Sequence, residues 1–192
     1  GTDASQTLNI AAGADGNDSL NNIEVVEFAS NVTVRVVGAN GYADVASAAA
    51  AADSNDRLFL DGAEAITVAT AGVINTKTLT IDNASLTQIS DTATAISAAN
   101  FGITPLSAYT TITNETSGQK ATIDASELGS RSVTLDGAGT FEVTGSIAQI
   151  RSLSTVTYGS IDNLIISDTA ENITDLTTTE IADLITRGVD EI

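Results

Sequence analysis

Two short acidic phrases hold the side chains of this sequence that are best suited to bind a cation. The first spans residues 14–20 and the second spans residues 52–58. The candidate ligands are Asp15, Asn17 and Asp18 in the first phrase and Asp53, Asn55 and Asp56 in the second. Calcium takes about six to eight oxygen ligands from carboxylates, amides and carbonyls. The phrases therefore predict either calcium sites or metal-free turns in which Asp and Asn side chains bond to nearby backbone.

Other chemistry is limited by the residue types that are present. The 192 residues include no Cys and no His, which excludes disulfides, thiol nucleophiles, His general bases and ordinary zinc or copper sites. A pair of carboxylates could still cleave a polysaccharide on a β-helix. Sugar subsites generally use exposed aromatic rings, however, and the chain has only three Tyr and four Phe. We expect no catalytic activity and keep a β-helix polysaccharide lyase or hydrolase as an alternative.

The charge balance limits the partners that this chain can bind. With 25 acidic and 7 basic residues, the formal net charge is −18 at pH 7. Binding to nucleic acid or to an anionic membrane surface requires clustered Lys and Arg, so neither is an expected partner. No run of residues approaches the roughly 18 apolar positions of a membrane-spanning helix, and we therefore expect no membrane insertion.

Short strands would have to position the acidic phrases. Apolar runs alternate with Gly, Asp, Asn and Ser, which is typical of strands joined by turns. The candidate strands are residues 7–10, 23–37, 58–60, 65–68, 78–81, 110–113, 121–123, 132–135, 141–143 and 164–166. An alanine run predicts one short helix near residues 42–53. Residues 178–186 also have helical spacing, with Ile181, Leu184 and Ile185 on one face.

Repetition determines the predicted fold class. The phrase at residues 89–96 begins Ile-Ser-Asp-Thr-Ala, and the phrase at residues 166–173 begins with the same five residues. Several apolar segments recur at intervals near twenty residues, which is compatible with one coil of a solenoid per repeat. Aliphatic and small residues supply nearly all of the 42% hydrophobic content. The pattern predicts a mainly β protein, a parallel β-solenoid of the β-roll or β-helix kind with a few short helices.

The first acidic phrase resembles a known calcium-binding repeat. Gly13-Ala14-Asp15-Gly16-Asn17-Asp18-Ser19-Leu20 is similar to the nonapeptide G-G-x-G-x-D-x-U-x of RTX proteins, with alanine at the second glycine. The resemblance implies that Asp18 ligates calcium and that Leu20 is buried. In the second phrase Asp56 and Leu58 would take these roles, although Ser54 replaces a glycine there. We expect an RTX-like region at residues 1–72 and continuous solenoid-like repeats at residues 73–192.

The Ile-Ser-Asp-Thr-Ala phrases resemble units of large repetitive bacterial surface proteins, including adhesins and S-layer-like proteins secreted by type I systems. This resemblance implies a secreted or cell-surface location, and neighbouring repeats of one long chain as partners. The expected function is a non-catalytic structural segment, such as a stalk, an adhesin section or a surface-layer component. Residues 188–192 begin a further strand, so we expect a longer array. An adhesin module that binds a glycan or surface through residues 101–109, with Tyr109 exposed, is the alternative.

Overall fold

The computed structural model describes residues 7–10, 25–28, 33–38, 41–60, 62, 64–82, 86–153, 155–158 and 161–192. The chain divides into two compact units, Gly1–Leu86 and Thr87–Ile192. The boundary expected between residues 72 and 73 falls inside a helix of the first unit.

In its described residues, the first unit combines short strands with two helices. Its strands are β1 (Thr7–Ile10), β2 (Val25–Phe28), β3 (Thr33–Val37), β4 (Arg57–Leu60), β5 (Ala65–Ile66) and β6 (Thr80–Asp82). Its helices are α1 (Val45–Ala51) and α2 (Val68–Thr76). The sheet order is β1, β2, β3, β4, β6. β2 and β3 are antiparallel, whereas the other neighbouring strands are parallel, so the sheet is mixed.

Helix α1 begins where its sequence supplies a cap, and it then covers the sheet. The carboxylate of Asp44 accepts a hydrogen bond from the backbone N–H of Ser47 at 2.7 Å. This bond satisfies one of the amides that a helix start leaves unpaired, and it also lowers the pKa of Asp44. Alanines 48 and 49 on α1 are buried, as are Leu58 and Leu60 of β4. Small helical residues therefore let α1 lie close to the aliphatic face of the sheet.

The second unit alternates strands with short helices along its length. Its strands are β7 (Gln88–Asp91), β8 (Thr111–Asn114), β9 (Lys120–Asp124), β10 (Ser132–Gly137), β11 (Thr140–Gly145), β12 (Thr155–Tyr158) and β13 (Ile161–Ile166). Its α-helices are α3 (Ala93–Ser97), α4 (Ala125–Leu128), α5 (Ile147–Ser152), α6 (Ala170–Thr174) and α7 (Thr178–Thr186). A 3-10 turn covers Leu106–Ala108.

Parallel pairing organises the strands of the second unit into two sets. One set has the order β12, β10, β8, β7, and the other has the order β13, β11, β9. Equivalent aliphatic side chains are aligned in each set. Ile89, Ile112 and Leu135 occupy paired positions and are fully buried. Ile123, Val143 and Leu164 form the second row and are buried to 2% exposure or less.

The predicted fold class is wrong: the structure is a mixed α/β protein, not a mainly β parallel β-solenoid. Helices and strands each form about a third of the chain, and one of the sheets is mixed. The physical reason is local. Ser, Thr or Asp follows many strands and accepts a hydrogen bond from the next free amides, as Thr92, Ser146 and Thr169 do. The alanine- and leucine-containing segments that come next have good helix propensity and continue as helices.

Candidate functional site

The second acidic phrase forms a tight hydrogen-bonded turn between α1 and β4. The carboxylate Oδ2 of Asp56 accepts a hydrogen bond from the backbone N–H of Asp53 at 2.9 Å. Asn55 has a positive φ of 69°, and its side-chain oxygen accepts a hydrogen bond from Thr78 at 3.2 Å. Asp53 and Asn55 are exposed, whereas Asp56 is only 6% exposed. The structure thus brings the three predicted ligands together in one turn but buries only the last.

Asp56 is engaged by a cation that belongs to the protein itself. Its Oδ2 lies 3.0 Å from Nε and 2.9 Å from a terminal nitrogen of Arg35, which is also buried. The same guanidinium donates a hydrogen bond to the hydroxyl of Tyr42 at 3.1 Å. A calcium ion would have to compete with this guanidinium for the carboxylate. The second phrase thus has the hydrogen bonds of a metal-free turn, and calcium binding by its side chains stays a prediction.

Asp15, Asn17 and Asp18 lie outside the described residues, and so does Leu20. Calcium binding by the first phrase stays a prediction. Within the described part of the chain, no group of three or more Asp, Glu, His or Cys side chains is placed to hold a metal ion. Leu58, the residue expected to be buried after the second phrase, is fully buried.

All seven basic residues link parts of the chain that are distant in sequence. Each contacts a residue 21 to 34 positions away. The pairs are Arg35 with Asp56, Arg57 with Asp82, Lys77 with the end of α1, Lys120 with Glu142, Arg131 with residues 101–109, Arg151 with Glu180, and Arg187 with Leu153. Within each unit, these contacts join one strand, helix or turn to another that is distant in sequence.

Lys77 closes the C-terminal end of α1. Its ammonium Nζ donates to the carbonyl oxygens of Ala49, Ala50 and Ala52 at 2.6 to 2.9 Å. The last carbonyls of a helix lack intrahelical partners and carry the negative end of the helix dipole. One positive side chain from the residue after α2 therefore holds the end of α1 in place.

Arg131 holds the segment between α3 and β8 through backbone carbonyls alone. Its two terminal nitrogens donate to Ser107 and Tyr109, and to Phe101 and Glu127, at 2.8 to 3.0 Å. Burial lowers the pKa of Arg131. The carboxylate of Glu127 accepts from the backbone N–H of Phe101 at 2.9 Å, although desolvation raises the pKa of this carboxyl. Arg131 and Glu127 thus anchor both ends of the segment.

The segment at residues 101–109, which the sequence predicts to be an exposed binding loop, is exposed only in part. Phe101 is fully buried, Leu106 is 7% exposed and Tyr109 is 5% exposed. Burial raises the pKa of the Tyr109 phenol. The aromatic rings here contribute to the core, because Arg131 draws the surrounding carbonyls inward. Residues 102–104 and Ala108 are exposed, with Ile103 at 59%.

Asn114 fills a buried position at the end of β8. Its amide nitrogen donates to the carbonyls of Gln119 and Thr140 at 2.9 and 3.0 Å, and its side-chain oxygen accepts from Thr116 at 3.1 Å. The turn between β10 and β11 passes so close that a Cβ on Gly139 would lie 2.3 Å from the amide nitrogen. This side chain satisfies the backbone of two neighbouring turns at once.

A cleft in the second unit lies beside Arg151. It has a volume of about 330 Å³ and is lined by α5, by Asp168 and Asn172 at α6, by residues 175–176 and by the start of α7. Arg151 donates to Glu180 at 3.1 Å and lies 3.8 Å from Asp183. Asp168 joins the two sides, because its carboxylate accepts from the backbone N–H of Ile147 and from the side chain of Asn172.

Two of the acidic residues that line this cleft, Glu180 and Asp168, have lowered pKa values. Hydrogen bonds from Thr177, backbone and side chain, together with Arg151, lower the pKa of Glu180 to about 2. The Asn172 amide and the backbone amides of Thr169 and Ile147 lower the pKa of Asp168. A general acid for glycoside cleavage needs a raised pKa. Neither carboxyl has that property, so the cleft offers fixed charges and hydrogen bonds.

Comparison with protein-family models, with curated proteins and with solved structures finds no match to this chain. No helix among the described residues is both long and apolar enough to span a bilayer.

Sequence reasoning missed the residues that hold the molecule together. It assigned the arginines no structural role, yet Arg35, Arg131 and Arg151 each make several contacts. One signal was available for α7. A Thr followed three residues later by Glu, as at Thr177 and Glu180, is the pattern of a capping box, and both hydrogen bonds of that box are present. No periodic pattern in the sequence indicates that two residues such as Arg35 and Asp56 form an ion pair.

Proposed function

We propose that this chain is a non-catalytic structural segment of a secreted bacterial surface repeat protein, serving as part of a stalk, an adhesin or a surface layer. The proposal rests on one observation, which is that the basic residues connect segments that are distant in sequence. In a chain with 25 acids and 7 bases, every base joins distant parts of the fold. Such a distribution suits a component whose task is to keep its shape under load.

Repetition of the local unit supports the same proposal. Strands β7, β9 and β11 are each followed directly by a capped short helix, and the aliphatic rows are aligned from strand to strand. Repeat proteins gain stability from such nearest-neighbour interfaces. Neighbouring repeats of the same long chain are the partners that this role requires. Calcium bound by the first acidic phrase would add to the stability of the segment.

Mechanical unfolding of single molecules tests the structural role. The chain is placed between two marker domains and pulled from its ends. We expect a resolved force peak, and we expect Arg131→Met to lower the force because four hydrogen bonds to carbonyls are lost. Extension without any peak would contradict a load-bearing role. The exposed substitution Ile103→Ser serves as the matched control and should leave the force unchanged.

Two further measurements separate this proposal from its alternatives. Incubation with acidic and neutral polysaccharides should give no product, and turnover would favour the lyase or hydrolase. A glycan array tests the adhesin alternative, which the burial of Tyr109 does not favour.

The expected location at the cell surface is tested separately. Antibody against the chain should label intact cells that produce it. Labelling only after permeabilisation would contradict a surface role.

A further inference from the structure

The fourth residue of every described α-helix is apolar. These residues are Ala48, Ala71, Ile96, Leu128, Ile150, Ile173 and Ile181. The first five are buried to 1% exposure or less. Ile173 is partly exposed and Ile181 is 39% exposed. One position in a repeated pattern is therefore covered in the earlier helices and uncovered in the last two.

Two earlier helices of the second unit are covered by a strand that comes later along the chain. Helix α3 packs on β9, and α4 packs on β11. Successive helices also touch, as α4 and α5 do. Helix α7 carries Ile185 as well, at 66% exposure and one turn beyond Ile181 on the same face. Among the described residues, α3 and α4 each have a later covering strand, whereas this face of α7 is exposed.

The backbone beside α7 already begins the corresponding strand. The N–H of Ile166 donates to the carbonyl of Glu191, and the N–H of Asp190 donates to the carbonyl of Leu164, both at 2.9 Å. These bonds form a parallel bridge between Ile165 and Glu191. Residues 190–192 thus add to the set of β9, β11 and β13 with the same direction, and Ile192 is half exposed at this edge.

We propose that the face formed by Ile181, Ile185 and the edge at residues 190–192 is a docking surface for one further strand–helix unit of the same pattern. Its occupant is a Ser-, Thr- or Asp-capped helix with an aliphatic fourth residue, together with a strand that runs parallel to residues 190–192. We infer this occupant because α3 and α4 pack on elements of the same kind, and the new unit would continue that packing at α7. The inference rests on the proposed structural role, since it names the partner surface which that role requires.

The test adds such a unit and measures whether the face becomes covered. A copy of residues 167–192 is appended after Ile192, because this keeps the register in which Glu191 pairs with Ile165. The chain has no Cys, so Ile181→Cys provides a single thiol for labelling. We expect labelling to slow about tenfold or more in the extended chain, as the thiol then reacts only through local opening.

Two controls make the result specific. A Gly/Ser extension of equal length should leave the labelling rate of Ile181→Cys unchanged. Ile103→Cys, exposed elsewhere in the same unit, should be labelled equally fast in both chains. Hydrogen exchange of residues 178–192 without any substitution gives a second readout, and the extended chain should be protected there.

Unchanged labelling together with unchanged exchange in the extended chain would overturn the inference. A dimer of the original chain in which Ile181 is already protected would also overturn it, because the occupant would then be a second copy. Neither result depends on force resistance or glycan turnover. Failure of this inference is thus distinguishable from failure of the proposed function.

Discussion

Single side chains in this protein do two tasks at once, and Asp56 shows this most directly. One oxygen of its carboxylate receives the Arg35 guanidinium and also the backbone N–H that closes the acidic turn. A residue that the sequence presents as a metal ligand therefore acts as the counter-charge of a buried arginine. The turn keeps its shape through bonds within the protein.

Replacing Asp56 with Asn should destabilise the protein by about 3 kcal/mol, since removal of one partner leaves a buried charge uncompensated. The loss should be equal in millimolar calcium and in excess chelator, as measured by urea unfolding. Asp53→Asn is the control because that side chain is exposed, and its effect should stay within about 0.5 kcal/mol. A loss that appears only with calcium present would indicate a metal site in the second phrase.

The lowered pKa of Glu180 predicts how the stability of the folded protein changes at acid pH. Its folded-state pKa of about 2 lies below the ordinary value of 4.5, so the unfolded chain takes up the proton first as the pH falls. The stabilisation from this carboxylate is complete above about pH 4.5 and disappears as the pH approaches 2. The difference in Tm between the protein and Glu180→Gln should shrink over that window.

The control for this titration is Glu171→Gln, which removes an equal charge from the first turn of α6. Subtracting the Tm change of this control removes the effect of the lost charge, so the remainder reports on the contacts of Glu180. A Tm difference for Glu180→Gln that stays constant from pH 5 to pH 2 would contradict the assigned cause, which is the capping hydrogen bonds from Thr177 and the contact with Arg151.

At the scale of elements, sequence patterns identify those whose apolar residues follow a clear period. Helix α7 spans Thr178–Thr186 as predicted, because Ile181, Leu184 and Ile185 recur at helical spacing. Strand β7 was missed, since Gln88–Asp91 contains one buried apolar residue, Ile89. Residues 65–68 were assigned to one strand, yet Thr67 caps α2 with its hydroxyl and ends the strand.

The candidate site was less predictable than the elements. The acidic turn at residues 52–58 is present, but its partner Arg35 lies 21 residues earlier in the sequence. The same holds for Arg131, whose four acceptors are all main-chain oxygens and leave no trace in residue types. Contacts of this kind are determined by how strands align, and a single sequence does not specify that alignment.

Arg131 stabilises the whole segment at residues 101–109 and not a single contact. Arg131→Met keeps the aliphatic stem but leaves four carbonyls without this donor, and we expect a loss of about 3 kcal/mol. Hydrogen exchange should locate the effect at residues 101–109, with the strongest change near Phe101 and Tyr109. Arg57→Met removes an exposed ion pair and should cause a much smaller loss. Equal losses for both variants would contradict the anchoring role.

At the scale of the whole molecule, charge is the dominant feature. A net charge of −18 repels itself in the compact state, and each base is engaged in a contact that links distant parts of the chain. Salt screens exposed charges over roughly 10 Å at 0.1 M. Tm should therefore rise as NaCl increases from about 10 to about 150 mM, because relief of repulsion exceeds the weakening of surface ion pairs.

Calcium at matched ionic strength separates screening from binding in this experiment. Sodium and calcium chlorides of equal ionic strength should be compared by thermal melts. A further rise of several degrees with calcium alone would indicate specific binding to the folded chain. A fall in Tm with added NaCl would contradict the dominance of self-repulsion.

The contact between Asn114 and the turn after β10 has a consequence for recognising kindred sequences. Gly137 pairs with Asn114 across the strands, and a Cβ at either Gly137 or Gly139 would lie 2.3 Å from an atom of that asparagine. Val, Ile and Leu replace one another easily in a protein core, so aliphatic positions lose their sequence identity as related proteins diverge. A buried asparagine followed two strands later by Gly-x-Gly is a steric constraint that tolerates little change. It supplies a search signature that persists longer in evolution than any acidic phrase.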